Sequence, residues 1–304
     1  MNLKKLHSYF SRYFDLVKSS NGWYRFTDPF DFNHSDTALG VNFNYGVVKD
    51  FRNEESYSII NFIKKYEGKP YKEIVSTVNQ LPELDFDKPS FNLNTQDVVM
   101  PKEFRSLVFD NYVMSKRARN YLLGRGFDID DLDYKGFGYA YENDWSGYIL
   151  IPVKRKGKLC YYFGRSFIGS DLRYKNPKGL NSKKIIYNED ALFLNKEVNM
   201  LEGWSDAETL GNNSIATLSW QISQDQYSII INSPCRFINI IADKGYYKEA
   251  LKNALPLVDY KRVKVIGLDN FGDKKDVNDI GKEIVQDLIA QAQYETYESI
   301  FRKL

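Results

Sequence analysis

Apolar residues along the chain change their spacing several times, and each change predicts a different kind of structure. Over residues 3–17 they recur at helical intervals and predict an opening helix. Short alternating runs follow at residues 23–26, 39–43 and 47–51, divided by Asp, Asn and Gly, and these predict a small sheet. Helical spacing returns at 58–66 and 71–81. Between 82 and 101, Pro, Asp, Asn and Ser displace any period, which marks a linker and the first domain boundary. Residues 104–125 read as a helix stopped by Gly126, and strands dominate 136–167. The last third alternates strands at 198–201, 214–217, 237–242 and 263–268 with helices at 206–210, 223–232 and 246–255. That alternation predicts a parallel sheet flanked by helices. A long amphipathic helix over 280–301, with Ile280, Ile284, Leu288 and Ala292 on one face, closes the chain. The predicted organisation is therefore a small α+β domain (1–81), a linker (82–101), a strand-rich unit (102–190), an α/β parallel-sheet unit (191–279) and a terminal helix (280–304).

Composition narrows the possibilities. No apolar run approaches the ~18 residues that span a bilayer, so no membrane association is expected and a cytoplasmic location is. The first 18 residues carry Lys4, Lys5, Arg12 and Lys18 without a continuous apolar stretch, and read as a folded helix rather than a signal peptide. Net charge is only +2, so a basic surface for a polyanion has to be local. Cys160 and Cys235 each sit in an apolar run and read as buried thiols. With His7 and His34 as the only histidines, a four-ligand zinc site cannot be assembled, so no zinc is expected.

The candidate chemistry is acidic. Ligands of open parallel sheets bind beyond the carboxyl ends of the strands. There the chain places Glu202-Gly203 and Asp206 after one predicted strand, Asp243 after another, and Asp269 then Lys275-Asp276-Val277-Asn278-Asp279 after a third. Singly, each acid has an ordinary use as a helix cap, a first-turn charge or a solvated turn residue. Converging carboxylates repel unless a cation lies among them, and hard oxygen ligands suit Mg²⁺ or Mn²⁺. Residues 154–184 add ten basic side chains (Lys154, Arg155, Lys156, Lys158, Arg165, Arg173, Lys175, Lys178, Lys183 and Lys184) against the single acid Asp171. Cations so placed can hold phosphates without reading sequence, although a solvated basic face is the plainer alternative.

Several of these segments resemble the DnaG-type primases with their Toprim fold. Glu202-Gly203-x-x-Asp206 resembles the first Toprim signature, and Asp276-Val277-Asn278-Asp279 resembles its third element in primases. Gly157-Lys158-Leu159-Cys160-Tyr161-Tyr162-Phe163-Gly164-Arg165 is similar to a strand pair of the primase core that ends in Gly-Arg, and Leu172-Arg173-Tyr174-Lys175-Asn176-Pro177 to the basic segment after it. Tyr121-Leu122-Leu123-Gly124-Arg125-Gly126-Phe127 and Gly136-Phe137-Gly138-Tyr139-Ala140 precede these in the family's order, so the resemblance covers roughly residues 115–279. One departure stands out. Toprim proteins usually carry Asp-x-Asp after the second core strand, whereas Ile241-Ala242-Asp243-Lys244-Gly245 has a single carboxylate, which leaves three alternatives: replacement by Glu249 or Asp269, one tightly bound metal instead of two, or weak or lost catalysis. Residues 23–66 resemble more weakly the family's zinc ribbon with its ligands lost: Asp28-Pro29-Phe30 stands for Cys-Pro-Phe, Ser35-Asp36-Thr37-Ala38-Leu39 follows as the turn into a strand, and Val48-Lys49-Asp50-Phe51-Arg52-Asn53 replaces the second ligand pair. Packing of Trp23, Phe26, Phe30, Phe43 and Phe51 is then expected to replace the metal.

The resemblance implies an RNA primer synthase acting on single-stranded DNA in phage or plasmid replication. Glu202, Asp206, Asp243, Asp276 and Asp279 form its catalytic set, with Glu202, Asp243 and Asp276 as ligands of Mg²⁺ or Mn²⁺. Lys158, Arg165, Arg173, Lys175, Asn176, Lys178, Lys183 and Lys184 hold nucleotide or template. Partners are ribonucleoside triphosphates and a separate replicative helicase, since the 304 residues contain no Walker A sequence. Two rivals share these residues: a Toprim nuclease, and a non-catalytic single-stranded-DNA-binding initiation or replisome protein.

Overall fold

The computed structural model describes residues 3–30, 38–81, 98–108, 112–274 and 276–304. The expected linker falls largely outside these residues, as do His34, the Ser35-Asp36-Thr37 turn and Lys275. Three sheets organise the described residues. The first is an antiparallel meander of β1 (Val17–Lys18), β2 (Tyr24–Phe26), β3 (Leu39–Asn42), β4 (Val47–Asp50) and β5 (Ser56–Ser58), covered by α1 (Leu3–Tyr13), α2 (Ile59–Glu67) and α3 (Tyr71–Asn79). The opening helix thus ends at Tyr13 and not at residue 17, because Val17 pairs with Arg25 at the sheet edge. Phe10, Phe26 and Phe43 are fully buried between helix and sheet, while Phe30 remains 42% exposed. Asp28 and Asp50 converge on Arg52, whose Nη2 lies 2.9 Å from Asp50 Oδ2, and this ion cluster ties the loop after β2 to the end of β4.

The second sheet has strand order β10-β9-β8-β7-β6, all antiparallel. It comprises β6 (Phe104–Ser106), β7 (Gly138–Ala140), β8 (Tyr148–Arg155), β9 (Lys158–Ser166) and β10 (Tyr174–Lys175), with α4 (Val113–Leu123) and α5 (Ile129–Lys135) between β6 and β7. The single helix expected over 104–125 is corrected here. Phe104, Arg105 and Ser106 pair with Ala140, Tyr139 and Gly138 as an edge strand, a long-range pairing that outweighs a weak local period.

The third sheet is parallel throughout, in the order β12-β11-β13-β14. Its strands are β11 (Glu197–Leu201), β12 (Ser214–Ala216), β13 (Phe237–Ala242) and β14 (Arg262–Gly267). Helices α6 (Ala191–Leu194), α7 (Trp204–Leu210), α8 (Gln224–Asn232) and α9 (Tyr247–Ala254) precede or connect them. Ile238, Ile240, Ile241 and Ala242 are all buried, as expected for a strand covered on both faces.

The long helix expected over 280–301 is also corrected, since that stretch divides into α11 (Lys282–Gln291) and α12 (Tyr297–Lys303), with Ile280 ending the short α10 (Val277–Ile280) before them. Gly281 at φ 102° breaks the first junction. At the second, Tyr294 bridges Lys264 beside β14, Glu295 N–H bonds Val263 O at 2.7 Å, and a Thr296–Ser299 capping box starts a new helix. One core runs from Phe10 and Phe43 through Phe137 and Val153 to Leu201 and Trp204, so all three sheets share it. Among the described residues no helix is long and apolar enough to cross a membrane.

Candidate functional site

The carboxyl edge of the parallel sheet gathers the acids. β11 ends at Leu201, and Glu202-Gly203 turns directly into α7, placing Asp206 in its first turn. A side chain on Gly203 would put its Cβ 2.7 Å from Asp206 Oδ2, so any larger residue there would displace this carboxylate. Asp206 is 4% exposed and accepts the Asn278 backbone N–H at 3.0 Å. Asp276 caps α10 by accepting the Asp279 N–H at 2.8 Å. Asn278, between them, donates its side-chain amide to Arg125 O and to Thr209 Oγ1, both at 2.9 Å. These bonds lock α10 onto α7 and onto the turn after α4.

The electrostatics centre on Asp243. Burial pushes the Asp243 carboxyl up to about 8, reinforced by the charges of Asp206, Glu202, Asp276 and Asp279. Burial and Asp276 raise Asp206 to about 6, opposed by the Asn278 N–H and the Arg125 charge. Burial also raises Glu202. Carboxylates from three separate segments therefore share one field. Asp269 has a structural bond, its Oδ1 accepting the Gly245 N–H at 2.8 Å across the β13–α9 turn.

These oxygens are the hard donors a divalent cation takes, and the unfavourable ionisation behind the raised pKa values is what such a cation would relieve. They do not form a closed chelate: among the described residues no three acidic, His or Cys side chains lie close enough together to hold one ion.

The basic segment divides by environment. Lys158, Arg173, Lys178, Lys183 and Lys184 are exposed, as is Asn176, whose Oδ1 accepts the Tyr161 hydroxyl at 3.1 Å. Arg165 is only 8% exposed, donates Nε to Tyr121 Oη at 2.9 Å and lies 4.8 Å from the Tyr174 ring. Lys175 donates to Asp144 O and lies 5.0 Å from the Trp145 ring. Arg155 is structural, bonding both oxygens of Glu189 at 2.8 and 2.7 Å. Sequence reasoning passed over Asn278 and Arg125 as site residues. Its one available signal was the Arg125-Gly126 helix end, which takes a left-handed Gly126 (φ 82°).

No protein-family model and no curated protein matches the chain. Solved structures do. A crystal structure of the Aquifex aeolicus primase, comprising its zinc-binding and RNA polymerase domains, is similar with a TM-score of 0.52 at 18% identity, over 96% of this chain and 84% of that one. A DnaG primase catalytic domain bound to single-stranded DNA is similar with a TM-score of 0.50 at 17% identity, over 60% of this chain and 74% of that one. The chain thus has a DnaG-like primase fold containing a Toprim-like parallel sheet.

Proposed function

We propose that this protein is a compact primase of the phage or plasmid kind, joining ribonucleotides into short primers on single-stranded DNA. One observation carries the reading: at the carboxyl edge of a parallel sheet, Asp243 lies in the field of Glu202, Asp206, Asp276 and Asp279 from two other segments, in a fold shared with primases. Glu202, Asp243 and Asp276, supported by Asp206 and Asp279, would contribute oxygens to Mg²⁺ or Mn²⁺ sites that triphosphate oxygens and water complete, since no three of them close on one ion by themselves, with no zinc required elsewhere. Such an ion supplies acidification of a 3′-hydroxyl and neutralisation of triphosphate charge. The chain's own part is to present the carboxylates, pinned through Asn278, and to bind phosphates through the exposed Lys158, Arg173, Lys178, Lys183 and Lys184. Arg165 and Lys175 brace the aromatic rings of that surface. The DNA-bound state of the similar catalytic domain supports a single-stranded template as partner, with a replicative helicase as a further partner. The ribbon-like first sheet takes the template-contacting role.

The lone carboxylate after β13 and the open spacing of the acids favour one second reading, a single-stranded-DNA-binding replication protein without synthesis. Labelled ribonucleotides on a short single-stranded template with Mn²⁺ separate the two. Wild type is expected to extend primers, and Glu202→Ala to lose about a hundredfold or more, the scale of removing one electrostatic group from a reacting centre. Equal products from both proteins, or none from wild type, defeats the synthetic reading, and a cut template indicates a nuclease.

A further inference from the structure

The loops beside the acids carry a feature that the carboxylates do not explain. After β12 the backbone takes a left-handed step at Leu218 (φ 62°), a costly conformation for a bulky side chain. Leu218 N–H bonds Glu202 O at 2.9 Å, Gln226 Nε2 bonds Thr217 O at 2.9 Å, and Asn253 Nδ2 bonds Trp220 O at 3.0 Å. This fixed path brings the Trp220 ring parallel to Tyr246, with centroids 5.8 Å apart and planes 12° from parallel. Tyr246 is itself tied to the site, since its N–H bonds Asp243 O at 3.0 Å. The stacked pair therefore joins the loop bonded to Glu202 with the turn that follows Asp243.

Packing alone does not account for the pair. Tyr246 is 45% exposed and lies outside the hydrophobic core clusters. Trp220 packs on the core, yet its indole N–H is buried without an acceptor among the described residues. A leucine there would fill space without leaving a donor unmatched. A braced ring that stays 45% exposed beside the acidic site suits a planar π-system, and every nucleobase supplies one.

We propose that Tyr246, backed by Trp220, is a stacking platform for a nucleobase at the mouth of the acidic site. The inference rests on the primase reading, and the base belongs either to the incoming ribonucleotide or to the strand being copied or extended. Binding is measured in Ca²⁺, so no synthesis is needed, with three probes: ATP, base-free ribose 5-triphosphate and a dT oligonucleotide compared with its abasic analogue. Tyr246→Leu is expected to weaken ATP or the dT oligonucleotide about tenfold and to leave the base-free partner unchanged. Loss confined to ATP assigns the incoming nucleotide, and loss confined to the oligonucleotide assigns the strand. Tyr246→Phe keeps wild-type affinity, and Trp220→Leu reproduces the loss in part, with the circular dichroism spectrum of each variant confirming a folded chain. Unchanged affinity for both base-bearing probes in a folded Tyr246→Leu overturns the platform while leaving the primase reading intact. Base-dependent binding in a wild-type protein that makes no primer defeats that reading while leaving the platform standing.

Discussion

At the scale of the residue, Lys154 shows how the fold tolerates charge away from the acids. It lines a cavity of about 270 Å³ together with Tyr45, Lys135, Tyr187, Asp190 and Glu208. Lys135 there is paired, 2.6 Å from Glu208 and 2.9 Å from Asp131. Lys154 has no such partner among the described residues, and burial drives its ammonium down to about 8, only partly countered by Asp190. A lysine whose acidity is increased by folding weakens the folded state wherever it must stay charged. The cost is complete below about pH 8 and is relieved as pH rises toward 10.5, where the unfolded chain also loses its proton. Replacing Lys154 with methionine, similar in length and uncharged, is expected to stabilise the protein by about 1–2 kcal/mol at pH 7. Urea unfolding at pH 7 and pH 10 checks this: the gain should shrink at the higher pH, and a constant difference would show that packing, not charge, is responsible.

At the scale of the element, α10 is the piece whose position decides the acidic edge. It has only four residues, too few to be stable alone, so side-chain bonds hold it. Asn278→Ala removes the bonds to Arg125 O and Thr209 Oγ1 while leaving the backbone bond to Asp206 possible. A stability loss of about 1–2 kcal/mol follows from two amide bonds, one of whose acceptors is left unpaired. If α10 positions Asp276, primer synthesis should fall further than stability does, which parallel denaturation and primer assays at one temperature reveal. The same element shows what a sequence can and cannot disclose. Short apolar runs such as Phe237–Ala242, spaced by helix-length segments, made the parallel sheet legible, and the acids past those strands stood out because strand ends are where ligands bind. Asn278 was illegible because its partners Arg125 and Thr209 lie 153 and 69 residues away. The edge strand Phe104–Ser106 and the break at residues 292–296 were hidden for the same reason, since pairing with β7 and with Lys264 is not written locally. The ion cluster of Asp28, Arg52 and Asp50 was likewise unforeseen; the sequence suggested only aromatic packing there.

At the scale of the whole molecule, the first sheet is joined to the rest through α5. Asp131 Oδ1 accepts Ser58 Oγ at 2.7 Å and Asn61 Nδ2 at 3.0 Å, both at the start of α2. Its other oxygen meets Lys135 at 2.9 Å, and Lys135 continues to Glu208 on α7 at 2.6 Å. Glu208 Oε1 in turn accepts the Tyr187 hydroxyl at 2.5 Å. One carboxylate thus links elements packed on all three sheets, and Lys135, with Ser58 and Lys64, keeps it ionised below the usual aspartate range despite burial. A depressed acid contributes stability above its unfolded value near 3.8, and that contribution is lost as pH falls through the folded value. Asp131→Ala severs the link at its centre and leaves Lys135 with one partner. The expected loss is about 2–3 kcal/mol, in the range for a hydrogen-bonded charge. Because other contacts such as Tyr71 Oη to Asp133 at 3.2 Å remain, the sheets should still fold. What should change is their docking: amide exchange is expected to quicken in α2 and α5 together, with β13 and β14 unaffected. Uniform quickening across all three sheets would show instead that Asp131 supports global stability and not the seating of the first sheet on the other two.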